Sequence, residues 1–222
     1  MRRRIAVLTF ALALASSTAF AQWTGTYMVR VTNLTAGQLF TPIIAATHGD
    51  DTYIYMPGMP ASEELEALAE GGNTMPLEMM LNGRAMSIET TMGLLEPGMS
   101  VEFMINGGSM ARYLSLAAML IPTNDGFLGF QTMLSSGPGM MTYYAYAYDA
   151  GTEENDESCH SIPGPAYDEC AGEEDDHDHD AHAHVMVEGH VSIHRGIQGV
   201  GDFDGERDWR NPVAMITITR VS

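Results

Sequence analysis

The chain has 222 residues, 45% of them apolar, with ten basic residues, no lysine and a formal charge of −19. So acidic a surface repels phosphate backbones and anionic lipid, which excludes nucleic acid and polybasic membrane docking. The length and the apolar content suit one domain with a substantial core.

The first residues read MRRR, then IAVLTFALALA, then SSTAFA. A basic start, a short apolar run and an Ala19-Phe20-Ala21 cleavage signal predict a signal peptide over 1–21, with the exported domain over 22–222. Cleavage would also remove Arg2, Arg3 and Arg4 and leave the chain more acidic still. The apolar run is short of the ~20 residues of a spanning helix, and no later segment predicts a membrane span. No cysteine stands at the cleavage site, so lipoprotein processing is not indicated.

Strand patterns dominate the rest. In YMVRVT, Tyr27, Val29 and Val31 share one face, with Arg30 and Thr32 on the other. FTPIIAAT, MSIETTM, SVEFMI, YLSLAAML, FLGFQTML and TYYAYAY follow at short intervals, bounded by Gly, Pro or Asn. YLSLAAML is compatible with a helix by composition. The closing VAMITITRV alternates again, with Ala214, Ile216, Ile218 and Arg220 opposite Val213, Met215, Thr217 and Thr219. The series predicts an all-β, antiparallel sandwich, closed by pairing of its first and last runs.

One helix interrupts the series. PASEELEALAEGG places Ser62 as N-cap, Glu63 and Glu64 in the first turn, and Leu65 with Leu68 on one face. Gly71 and Gly72 end it. The eighteen methionines lie across strands and turns without an MxxM repeat, which predicts core and gap-filling roles for most.

Cys159 and Cys170, the only cysteines, lie eleven apart in a polar segment. In an exported chain they predict one disulfide, worth roughly 2–3 kcal/mol by loop-closure entropy. An acidic, histidine-bearing loop follows within 153–184. His177, His179, His182 and His184 alternate with Asp or Ala there. Such a tract is either a solvated loop or a loose chelator of Zn2+ or Cu2+. In VMVEGHVSIH the strand period puts Val187, Val191 and Ile193 on one side and His190 with His194 on the other. Four residues along a strand span about 13 Å, too far for one zinc, which predicts exposed or rim positions for both. His48 reads as a hydrogen-bonded structural histidine.

Several strings resemble the spondin domain, the module at the N-terminus of animal F-spondin and mindin that also stands alone in bacterial exported proteins. They are VTNLTAGQLFTP, ATH, GMPASEELEALAEGG, MLIPTNDGFLGF, YAYDAGTEEND and DWRNPVAMITITR, in the family's order. The resemblance implies a sandwich like that of C2 domains, with Ca2+ held by loops at one end. Asp125 in PTNDGFLG and Asp149 in YDAGTE match the family's metal-holding aspartates, and Glu102 in SVEFMI is the matching third carboxylate. Gly126 stands where animal members often carry an aromatic residue, which predicts a more mobile loop. On pattern alone, Asp125 and Asp149 are also ordinary turn formers. Glu153 offers a further oxygen, and clustered carboxylates of this kind are unfavourable without a cation.

The chain contains no GxSxG string, phosphate-cradling glycine loop or HExxH pair, so no enzymatic role is expected. The expected function is that of an exported, bacterial, calcium-binding sandwich, periplasmic or secreted. It would act as a binding or adhesion module for an unknown extracellular or envelope ligand. The alternative is a periplasmic copper- or zinc-handling protein.

Overall fold

The computed structural model describes residues 22–164 and 187–222. Its strands are β1 (Thr24–Asn33), β2 (Leu39–Phe40), β3 (Ile44–His48), β4 (Ala85–Thr90), β5 (Ser100–Gly108), β6 (Tyr113–Ile121), β7 (Gly126–Met133), β8 (Gly139–Asp149), β9 (Ser192–Ile193) and β10 (Ala214–Arg220). Two helices, α1 (Glu63–Gly71) and α2 (Met75–Leu81), fall between β3 and β4.

The strands pair in the order β4-β3-β6-β7-β8-β10-β1-β5, with β2 beside β6 and β9 beside β8. All pairings are antiparallel. The first and last predicted runs do pair, from Tyr27 opposite Arg220 to Asn33 opposite Ala214. The end strands β4 and β5 approach each other, and Thr47 Oγ1 on β3 donates to the Asn106 carbonyl on β5. The result is a nearly closed, sandwich-like sheet.

Alternation decides which side chains go inside. Tyr27, Val29 and Val31 of β1 and Ile216 and Ile218 of β10 are fully buried in the main core, with Ile105 of β5 and Leu114, Leu116 and Leu120 of β6. A second core lies on the other side of β3, β6 and β7, where Ile44, Ala117 and Phe127 meet Leu65 and Leu68 of α1 and Leu77 and Leu81 of α2. β6 is therefore buried on both faces. That accounts for the unbroken apolar run YLSLAAML, which is a strand.

The predicted helix forms as its ends dictate. The Ser62 hydroxyl accepts the Leu65 N–H at 3.3 Å, and Gly72, at φ 64°, returns its own N–H to the Leu68 carbonyl at 2.9 Å. The second helix was not expected. MPLEMML carries Pro in its first turn and sets Leu77 and Leu81 four apart, so one face is buried despite the short length.

The methionines correct their expectation. Among the described residues Met119 is in the core, whereas eleven others, from Met56 to Met140, are between 44% and 94% exposed. Leu, Ile, Val, Ala and aromatic side chains fill the interior, and the exposed thioethers lie on the rim and outer faces. Among the described residues, no helix is long and apolar enough to cross a membrane.

Candidate metal centre

β6 and β7 are joined by a four-residue loop, and the residues of that loop reach across to the end of β8. Thr123 Oγ1 donates to the Leu120 carbonyl and accepts the Gly126 N–H at 3.0 Å, which closes the loop on itself. Asn124 donates through Nδ2 to Asp156 at 2.8 Å and to Ser161 at 3.1 Å, tying in the chain that follows β8. Gly126 pairs with Asp149 in the β7–β8 ladder. It is also tightly enclosed, because a Cβ there would lie 2.7 Å from Thr123 Oγ1 and 3.0 Å from the His194 ring. The mobile loop expected at Gly126 is thus a packed strand start, where the absent side chain admits His194.

This arrangement brings Asp125 and Asp149 together. Asp125 is fully buried. Its Oδ2 accepts the N–H groups of Thr152 at 2.8 Å and Glu153 at 3.2 Å, while its Oδ1, also buried, has no hydrogen-bond partner. Asp149 uses Oδ1 on the Gly151 N–H at 2.8 Å and Oδ2 on the Asn155 amide at 2.7 Å. Gly151 sits at φ 72° directly beneath the His190 backbone, where a side chain has no room.

Electrostatics make this cluster costly. Burial, and then the neighbouring Asp149 charge, push the Asp125 pKa up to about 7 against the pull of two backbone N–H groups. Burial also raises Asp149, opposed by the Asn155 and Gly151 hydrogen bonds. Glu153 is pushed up to about 8 by burial and by Glu70, Asp125, Asp156 and Glu66. Carboxylates so crowded and desolvated hold protons near neutrality unless a cation replaces them.

The other candidates are dispersed. Glu102 lies on β5 opposite Arg30, in an ion pair at 2.9 Å with both side chains about half exposed. Its row runs through Arg30 and Thr217 to Thr142 of β8, seven residues along the strand from Asp149 and about 14 Å across the sheet, so Glu102 is not at this end. His177, His179, His182, His184 and Cys170 lie outside the described residues; Cys159 is largely buried. Among the described residues, no group of three or more His, Cys, Asp or Glu side chains is placed to hold a metal ion. The donors that remain fit a hard cation all the same. Asp125 and Asp149 both offer carboxylate oxygens, one of them buried and unused, and calcium accepts carbonyls and water for the rest of its six to eight positions.

The histidines divide. His48 is buried, with Nδ1 on the Gly49 carbonyl and Nε2 on Ser115 Oγ, each at 2.7 Å, the structural role expected of it. His190 is exposed, as expected, and lies close enough to Asp149 to affect its charge. His194 corrects its expectation, being buried rather than at a rim. Strand pairing lasts only through Ser192 and Ile193, after which the ring turns under Trp209 at 5.0 Å between centroids. Its Nδ1 accepts the Gly196 N–H, and burial lowers its pKa to about 4, so it is neutral. Sequence reasoning also missed Glu188 and the α1 carboxylates Glu66 and Glu70, whose charges reach Asp125 and Glu153 respectively. Only the helix's seat on the sheet brings them near.

A model of one protein family, Spondin_N, matches residues 21–161. No curated protein matches the chain. The match ends before β10, although β10 fills the sheet between β1 and β8.

Proposed function

The chain belongs to the spondin N-terminal domain family, and from that premise, which makes it an extracellular binding module in general terms, we propose that it is a calcium-dependent one without catalytic activity. The observation that carries the reading is the buried, unpartnered Oδ1 of Asp125 beside the carboxylate of Asp149. Bound calcium would supply positive charge and oxygen coordination at that point. The chain's own groups do the positioning. The Thr152 and Glu153 amides orient Asp125, while Gly151 and Asn155 orient Asp149. The site joins the β6–β7 loop to the chain after β8. That chain is already held to Gly189, whose N–H donates to the Gly151 carbonyl. Neutralising the acids would therefore stiffen one rim of the sandwich, and that rim is the proposed ligand-facing end.

Calcium that binds only the folded state stabilises it, by about 2.7 kcal/mol at a hundredfold excess over the dissociation constant. Thermal melting of residues 22–222 should show a higher melting temperature in calcium than in chelator, and Asp149→Asn should reduce that shift. An identical calcium response in Asp149→Asn moves the ion elsewhere. A response to zinc or copper in place of calcium would favour the transition-metal alternative, which draws support from the exposed methionine thioethers. The Cys159–Cys170 bridge belongs to the same proposal of an exported protein, and peptide mapping without reduction tests it: both thiols alkylated in protein from its native compartment would rule it out.

A further inference from the structure

The β7–β8 ladder runs only from Gly126 opposite Asp149 to Gly129 opposite Tyr146. Beyond it β7 continues against β6 to Met133, and β8 is held by β10 back to Gly139. The two strands therefore part, each with one side occupied and the other facing a gap.

Hydrogen-bond alternation tells which groups face it. The Leu134 N–H on the Arg112 carbonyl puts the even residues of β7 toward β6, so the N–H and C=O groups of Gln131 and Met133 point into the gap. On the other bank, the Val221 N–H on the Thr26 carbonyl puts the odd residues of β10 toward β1. Its even residues then face β8, where they meet the odd residues Met141, Tyr143 and Ala145. Thr142 and Tyr144 of β8 accordingly turn their backbone groups into the gap. Among the described residues, no backbone group pairs with either of these two rows of donors and acceptors lining the gap.

A cleft of about 560 Å³ opens over this place and is lined by seven of the chain's nine tyrosines. Tyr53, Tyr144 and Tyr146 are each about half exposed. Sheet edges are ordinarily blunted by lysine, proline or an inward charge. Gln131, Met133, Thr142 and Tyr144 provide none of these.

We propose that the β7–β8 gap is a docking site for an extended, basic peptide segment of a partner protein, added as a strand between Gln131–Met133 and Thr142–Tyr144. Rows of N–H and C=O at strand spacing are matched by another backbone, and a saccharide has no such repeat. Charge selects the side chains. A chain at −19 with no lysine attracts lysine- and arginine-bearing segments and repels acidic ones. Alternate residues of the added strand would then lie over the tyrosine rings, where a cation also gains from the ring face.

The test uses residues 22–222 and octapeptide pools alternating Lys with Val, Thr, Ile or Tyr, read by isothermal titration. Parallel pools carry Glu in place of Lys, and an oligomer of N-acetylglucosamine is the saccharide control. The lysine pools should bind, and the glutamate pools and the saccharide should not. Thr142→Pro removes a gap-facing N–H without removing a ladder bond to β10, so it should keep the fold and weaken binding at least tenfold. Should that variant melt early, the same peptides N-methylated on alternate residues replace it, with the same tenfold loss expected. Failure of all lysine pools to bind, saccharide binding in their place, or affinity unchanged by both the proline and the N-methyl groups overturns the proposal.

Discussion

In excess chelator at pH 8, Asp125→Asn is expected to be more stable than the native sequence, although it has lost the response to calcium. The Asp125 carboxyl ionises at about 7 in the fold, against an ordinary value of 3.8. A carboxyl raised in the folded state binds its proton more tightly there than in the unfolded chain. Its contribution is therefore fully present below about pH 4 and is lost as pH rises to about 7. Three units correspond to about 4 kcal/mol. Glu153, raised to about 8, extends the decline beyond neutrality. Asparagine keeps an oxygen for the Thr152 and Glu153 amides but carries no charge to desolvate, so the variant should show a much flatter pH profile. Denaturant unfolding at pH 5 and pH 8, with chelator and with calcium, separates the cases. A variant that is less stable at pH 8 in chelator would mean that the buried carboxylate is neutralised by the protein itself.

Phe127→Ala is expected to cost about 3–5 kcal/mol, measured as a lower denaturant midpoint at unchanged slope. Phe127 is fully buried two residues after Asp125, in the second core beneath the helices. Its ring lies edge-on to Tyr55 at 5.3 Å and stacks against Tyr148 at 5.8 Å. Truncation leaves a cavity between elements that are each fixed by other contacts, so little collapse can repair it. A loss below 1 kcal/mol would show that β7 can be repacked without its aromatic anchor.

Where a residue's role depended on its immediate neighbours, the sequence alone determined it. The two-residue period of Tyr27, Val29 and Val31 and of Ala214, Ile216 and Ile218 chose the buried faces of β1 and β10. Ser62 and Gly72 bounded α1 because capping bonds reach only three or four residues along the chain. The turn chemistry around Asp125 and Asp149 was legible for the same reason, and the family strings pointed to the pair.

Other features depended on which strands and helices became neighbours. β6 reads as helix or strand until the helices cover one of its faces and the main core the other. Glu102 lies on an alternating strand like its neighbours, yet the strand order places it three strands from β8, in an ion pair with Arg30. His194 follows the period of an exposed face, but pairing stops after Ile193 and the ring fills the space left by Gly126. The gap between β7 and β8 exists because β8 leaves one neighbour for another halfway along its length. Local patterning specifies how a strand turns its side chains. It carries no information about which strand lies alongside or where that pairing ends, because those depend on burial and hydrogen bonding summed over segments distant in the chain.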